Sequence, residues 1–228
     1  MDQVAELASA FKADELIKIE LEDGGIFTVQ KATLCHRSPY FKAALEENKF
    51  KEGMEKKLRL PGCTTKAFEM FLYWMIHSNI PHIFDCFEVH PPIPDPSQGR
   101  DKRSDEFQVT LVQLWVLADI LLLPELRDKA ILSISGVLCE YHVAVDAVKA
   151  AFQETGAKSE VSKEVIDHLV RDSGVSGIYG AEEMDALGAI TGVLLAFNNK
   201  LIEQYGPRSV PNKTEAGLGS GCPHLAPW

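Results

Sequence analysis

The chain lacks most of the features that mark secreted, membrane-spanning or nucleic-acid-binding proteins. Its five cysteines (Cys35, Cys63, Cys86, Cys139, Cys222) are odd in number, widely scattered and free of any CxxC pair. That excludes a disulfide framework and fits a reducing compartment, so an intracellular location, cytoplasmic or nuclear, is expected. Basic charge is scarce. Residues 1–77 carry 11 Lys/Arg against 12 Asp/Glu, residues 78–228 carry 12 against 21, and the formal net charge is −10. A protein that grips DNA or RNA neutralises phosphates with clustered cations, and the densest basic stretch here, Lys49 to Arg59, is interleaved with Glu52 and Glu55. Nucleic acid is therefore not expected as a partner. The opening residues Met1-Asp2-Gln3-Val4-Ala5-Glu6 have no basic n-region followed by an apolar core, so no signal peptide is expected. The most apolar stretch, Phe107 to Leu126, is interrupted by Gln113, Asp119 and Pro124. It reads as a buried helix rather than a membrane span.

Catalytic signatures are missing as well. There is no GxSxG and no HExxH. The glycine-rich run Gly174-Val175-Ser176-Gly177-Ile178-Tyr179-Gly180 follows no strand and precedes no GK[ST]. It reads as a flexible connection between helices rather than a phosphate cradle. His77, His82, Cys86 and His90 are the most ligand-like group, but Pro81 and Pro91 bracket the segment and the spacing fits no common zinc module. Adjacent helical residues diverge, so Cys35-His36 makes a poor thiol dyad, and Cys35 reads as a small buried residue. No catalytic residue, cofactor or metal is assigned. A metal-dependent or thiol enzyme using the His77–His90 region or Cys35 is the alternative from another class.

What the sequence does carry is a mixed α and β pattern of ordinary composition, 46% hydrophobic and 25% charged, with a core to bury. Residues 2–12 read as a short amphipathic helix with Val4, Leu7 and Phe11 on one face. Leu16 to Leu21 alternates as a strand, Asp23-Gly24-Gly25 turns, and Ile26 to Val29 returns. Lys31 to His36 suits a helical turn. Ser38 caps a helix that starts at Pro39. Lys57 to Leu60 is a short strand, and Thr64 or Thr65 caps a helix to about Ser78. The proline-rich stretch from Ile80 to Ser104 reads as a long exposed loop. A buried helix is expected from near Asp105 to about Leu123, and another from Pro124. Beyond Ser135, helices are expected over Val137 to Gln153, Ser159 to Asp172 and Ala181 to Tyr205. In the last, Leu187, Ile190, Leu194, Phe197 and Leu201 form a seam. The Pro-, Gly- and Ser-rich tail after Gly206 reads as disordered.

The order of these elements, with the residues that fill them, resembles a BTB/POZ domain. Phe27-Thr28-Val29-Gln30-Lys31-Ala32-Thr33-Leu34, then Arg37-Ser38-Pro39-Tyr40-Phe41, looks like the family's run from second strand into first helical hairpin. Phe50-Lys51-Glu52 resembles the segment that follows it. Leu114-Trp115-Val116-Leu117-Ala118-Asp119 and Leu123-Pro124-Glu125-Leu126 resemble the central helix and the next helix start. The nearest likeness is to stand-alone BTB proteins of fungal type. Two features depart from the pattern. Gln30 stands where the family commonly has His, and the proline-rich connection is longer than usual.

The resemblance implies an α+β BTB/POZ fold over residues 14–135, the proline-rich loop about 80–104 included. An amphipathic helix over 1–13 is expected ahead of it, and a helical extension over 136–205 and a flexible tail over 206–228 are expected after it. It also implies protein–protein binding. Many members dimerise by exchanging N-terminal elements, and Val4, Leu7 and Phe11 stand where that contact falls; packing on their own domain is the other reading. Some members recruit a cullin scaffold of ubiquitin ligases through an apolar-x-Glu element, which Phe50, Lys51 and Glu52 match. A plain surface turn with one packed Phe is the alternative there. The expected function is an adaptor that pairs with itself as a homodimer and recruits another protein, a cullin scaffold among the candidates. A homo-oligomeric scaffold or transcriptional cofactor without a cullin is the alternative within the binding class.

Overall fold

Inward-facing β-branched and leucine side chains organise the first part of the chain. A computed structural model describes residues 15–46, 50–86, 102–175 and 177–205. In strand β1 (Leu16–Leu21), Ile17, Ile19 and Leu21 are buried, whereas Lys18 faces water. This is the period-two pattern of a sheet with one wet face. Strand β2 (Ile26–Gln30) pairs antiparallel with β1, Ile19 opposite Phe27. Strand β3 (Lys57–Leu60) lies parallel on the other side, Ile19 opposite Leu58, giving the order β2-β1-β3. On the wet face Glu20 bridges Lys18 at 3.0 Å and Lys57 at 2.9 Å.

The turn between β1 and β2 is locked from outside the hairpin. Gly24 takes φ +88°, where only glycine sits without strain. The Asp23 carboxylate accepts from the Gly25 N–H at 3.1 Å, the Thr65 N–H at 2.6 Å and the Thr65 hydroxyl at 2.9 Å. A Cβ on Gly25 would strike that hydroxyl. Glycine is thus demanded by close approach at one position and by backbone conformation at the other.

Helices α1 (Lys31–Arg37) and α2 (Pro39–Ala44) follow directly. Ser38 caps α2, accepting from the Phe41 N–H at 3.4 Å, with Pro39 at the first helical position. After α3 (Lys51–Glu55) and β3 comes α4 (Thr65–His77), capped by Thr64. Phe68, Phe71 and Trp74 of α4 meet Phe27 and Phe41 in one aromatic cluster, with centroids 4.9 to 6.3 Å apart. Helix α5 (Lys102–Ile120) is buried along most of its length and forms the hub. Against it pack α6 (Pro124–Glu140) and α7 (Val145–Thr155), and α8 (Glu160–Ser173) packs on those two; α9 (Ala181–Ala189) closes on α7 and α10 (Val193–Tyr205) on α8. A small three-stranded sheet with a helical cluster and a helical C-terminal region is an α+β arrangement, as expected.

Several element readings change. The stretch from Ile80 is not wholly exposed: Ile80 and Ile83 are in the core, Ile83 within a 3₁₀ turn over Ile83–Asp85. The buried helix starts at Lys102 and ends at Ile120, earlier at both ends than expected. Residues 87–101 lie outside the described residues, as do 1–14 and 206–228. The helix expected over Val137 to Gln153 is two. Helix α6 runs through Ser135 to Glu140, and an extended link, Tyr141 to Ala144, leads into α7. The link holds because its polar groups have partners: Ala144 N–H on Gln108 at 2.8 Å and Val143 N–H on Asp172 at 2.9 Å.

The long C-terminal helix also breaks, between Ala189 and Val193. Gly192 takes φ +90° against Phe152, a backbone that a regular helix does not allow. The break rotates the expected seam: Leu187 and Ile190 stay buried, Val193 joins them, and Leu194 turns outward at 56% exposure. Among the described residues no helix is long and apolar enough to cross a membrane.

Candidate functional site

The Phe50 element is built around a glycine. Phe50 occupies the N-cap of α3 in extended backbone, and its carbonyl accepts from the Met54 N–H at 3.4 Å. Gly53 is buried, and a Cβ there would lie 2.8 Å from the Glu46 carbonyl oxygen. Glycine therefore lets this single helical turn sit against the chain that leaves α2. Lys56 ends α3 in the left-handed conformation, φ +55°, and its carbonyl accepts from the Lys18 N–H at 2.9 Å, so the element is fixed to β1.

With the turn held this way, its side chains point outward. Phe50 is 50% exposed and Met54, one turn on, 63%. Lys51 and Glu52 are exposed, and Lys51 pairs with Glu55 at 3.4 Å in a solvated contact worth little stability. Burial, and secondarily the charge of Glu52, pushes the Tyr40 hydroxyl above its ordinary range. The result is two exposed apolar side chains one helical turn apart, with exposed Glu52 between them in sequence. Met54 was not singled out from sequence. Its signal was the i, i+4 spacing from Phe50, which acquires meaning once residues 51–55 are known to be helical.

The other residues singled out from sequence fall apart. Val4, Leu7 and Phe11 lie outside the described residues. At the entry to β1, Glu15 pairs with Lys31 at 2.9 Å and Lys56 at 3.4 Å, and the Lys31 contact leads in holding its carboxyl below the usual range. The His77 ring packs tilted against Tyr73, centroids 4.2 Å apart. His82 caps the 3₁₀ turn through Nδ1, which accepts from the Phe84 N–H at 3.4 Å. His90 is outside the described residues, and among those described no three His, Cys, Asp or Glu are placed to hold a metal. Cys35 is half-buried rather than fully buried, and burial pushes its thiol up; neighbouring His36 is exposed. A cavity of about 620 Å³ between α4 and α5 is lined by Met70, Tyr73, Cys86 and Phe107 among others. Burial first, then Asp85, pushes the Cys86 thiol up to about 11, which leaves little thiolate for nucleophilic work. The glycine-rich connection joins α8 to α9 as expected, but it is anchored: the Tyr179 hydroxyl donates to the Val143 carbonyl at 3.1 Å.

Comparison with known proteins agrees with this architecture. The family model for the BTB/POZ domain matches residues 7–83, which runs from ahead of β1 into the 3₁₀ turn and covers about a third of the chain. No curated protein matches the chain. BTB/POZ domains are generally protein–protein interaction modules and not typically enzymes. The chain is a BTB/POZ domain-containing protein.

Proposed function

We propose that the protein is an adaptor that associates with itself through the segment bearing Val4, Leu7 and Phe11, and recruits a cullin-type scaffold through Phe50, Lys51 and Glu52. The observation that carries the second half is the joint exposure of Phe50, Glu52 and Met54 on a turn that Gly53 lets sit against the Glu46 carbonyl. An aromatic anchor beside an aliphatic one fills an apolar pocket, and the carboxylate takes a cationic or N–H partner. Preorganisation matters here, because a turn already fixed loses little entropy on docking. In the adaptor reading, a substrate docks on the acidic helical extension or the proline-rich loop.

The test is capture of the intact chain by an immobilised cullin N-terminal domain. Binding is expected, weakened about tenfold by Glu52→Ala and by Phe50→Ala, each removing roughly 1.4 kcal/mol or more of contact energy. Absence of binding by the intact protein overturns the cullin half and leaves a self-associating scaffold or transcriptional cofactor. For the self-association half, replacing Leu7 and Phe11 by Asp is expected to lower the solution mass.

A further inference from the structure

The last turn of α8 grips α6 and the extended link through Arg171. Its Nη2 donates to the Leu138 carbonyl at 2.6 Å, and its Nε and Nη2 donate to Asp172 Oδ1 at 2.9 and 2.6 Å. Asp172 is buried, and its other oxygen accepts from the Val143 N–H at 2.9 Å and the Tyr179 hydroxyl at 3.4 Å. The remaining corner of the guanidinium, Nη1, lies 2.8 Å from Nδ1 of His168. A guanidinium only donates, so that Nδ1 accepts. The imidazole in this clasp is therefore neutral, with its proton on Nε2, 3.2 Å from the Glu164 carboxylate.

We infer that His168 is a proton-sensitive latch: protonation at Nδ1 sets two donors and two positive charges face to face and turns Arg171 out of the clasp. The guanidinium is planar and rigid, so displacing Nη1 also carries Nε and Nη2 off Asp172 and Leu138. The Arg171 side chain is 43% exposed and that of His168 12%, so water reaches the ring and the arginine has solvent to swing into. Glu164 stays beside the imidazolium and receives its second N–H. His142 is the other ring in the clasp, with Nδ1 3.7 Å from Asp172 and Nε2 buried without a hydrogen-bond partner among the described residues. An imidazolium there would bury a donor with no acceptor, which His168 avoids. The elements packed on α8 add few other charges. From α10, Lys200 is held by Asp167 at 2.9 Å and Glu203 at 3.3 Å. Helix α6 presents the Leu138 carbonyl, with Cys139 and Glu140 exposed next to it in sequence, and α7 meets Ser162 through the Ala151 carbonyl and the Thr155 hydroxyl. Histidine changes charge between about pH 5 and pH 8, so the latch is closed at the upper end of that range and opens toward the lower. What opening releases is the end of α6 and the link at Val143, the seam between the first part of the chain and its helical extension. The inference does not rest on the cullin or self-association reading.

The experiment has two readouts on the full chain. Long-range proton–nitrogen spectra, with His168 assigned through its backbone, report its tautomer, and the Nε2–H form is expected at pH 8. That readout uses the unsubstituted chain, so it does not depend on any variant folding. Hydrogen exchange, corrected for intrinsic rates, is then compared at pH 7.5 and pH 5.5. Opening at Tyr141 and Val143 is expected to rise about tenfold at the lower pH, with α4 unchanged. His168→Gln supplies an oxygen that accepts from Arg171 and does not titrate, so it should abolish the rise, whereas His142→Gln should leave it. An Nδ1–H tautomer at pH 8, equal opening at the two pH values, a rise shared by α4, one that survives His168→Gln, or one lost in His142→Gln each overturns the inference.

Discussion

The side-chain amide of Gln108 spans the extended link between α6 and α7: its oxygen accepts from the Ala144 N–H at 2.8 Å and its nitrogen donates to the His142 carbonyl at 2.9 Å. Gln108 belongs to the central helix and is 3% exposed; the bond from Ala144 is buried and the one to His142 partly so. Together with Asp172, which accepts from the Val143 N–H at 2.9 Å and is held by Arg171, it ties the helical extension to the hub of the first part.

Gln108→Leu keeps the volume and removes both bonds, leaving a buried N–H and a part-buried C=O without their partner. The expected cost is about 2–3 kcal/mol. Equilibrium urea unfolding checks it, as a lower midpoint at unchanged slope.

Acid should loosen the hairpin turn. The Thr65 N–H, then the Gly25 N–H, hold the Asp23 carboxyl below the usual range. A carboxyl lowered in the folded state contributes stability above its unfolded value, about pH 4, and loses it as pH falls through the folded value. Glu15 and Glu20 shift in the same direction, through Lys31 and Lys57 first. Melting temperatures measured from pH 7 to pH 2.5 should decline below pH 4. Asp23→Asn should flatten that decline while lowering stability at neutral pH.

Gly53→Ala changes no contacting side chain of the Phe50 element but adds a Cβ 2.8 Å from the Glu46 carbonyl oxygen. Backbone must move, at roughly 1–3 kcal/mol. The expected outcome is a destabilised chain in which α3 is displaced, read as increased amide exchange over residues 50–56 by mass spectrometry.

Cys63 is 3% exposed, and burial pushes its thiol up to about 12. A thiol reagent at pH 8 should label exposed Cys139 within minutes and leave Cys63 until the protein is unfolded. Cys63→Ser should therefore leave the fast phase of labelling unchanged.

Much of the fold was legible because local chemistry and long-range packing agree. The alternation of Ile17, Ile19 and Leu21, the turn at Gly24, the Ser38-Pro39 helix start and the Thr64 cap each need only neighbours in sequence, and each stands where expected. The misread elements are those where a distant residue decides. Nothing within Tyr141 to Ala144 announces a break; Gln108 and Asp172, some 30 residues away on either side, supply the bonds that make an extended link cheaper than continued helix. The helix expected over Ala181 to Tyr205 breaks because Gly192, at φ +90° against Phe152, makes a corner there. The burial of Ile80 and Ile83 was hidden by the prolines around them.

The candidate site divides in the same way. The residues Phe50, Lys51 and Glu52 are visible in the string, since an apolar-x-acidic pattern is local. Their joint exposure, and the entry of Met54, are not, because both depend on Gly53 closing against the end of α2. By itself the sequence determined the element order, the balance of charge and the family resemblance, all of which follow from side-chain chemistry and near-neighbour spacing. Tertiary structure alone decided where helices stop and which apolar faces remain outside, because those depend on which distant polar groups and side chains arrive to satisfy or cover them.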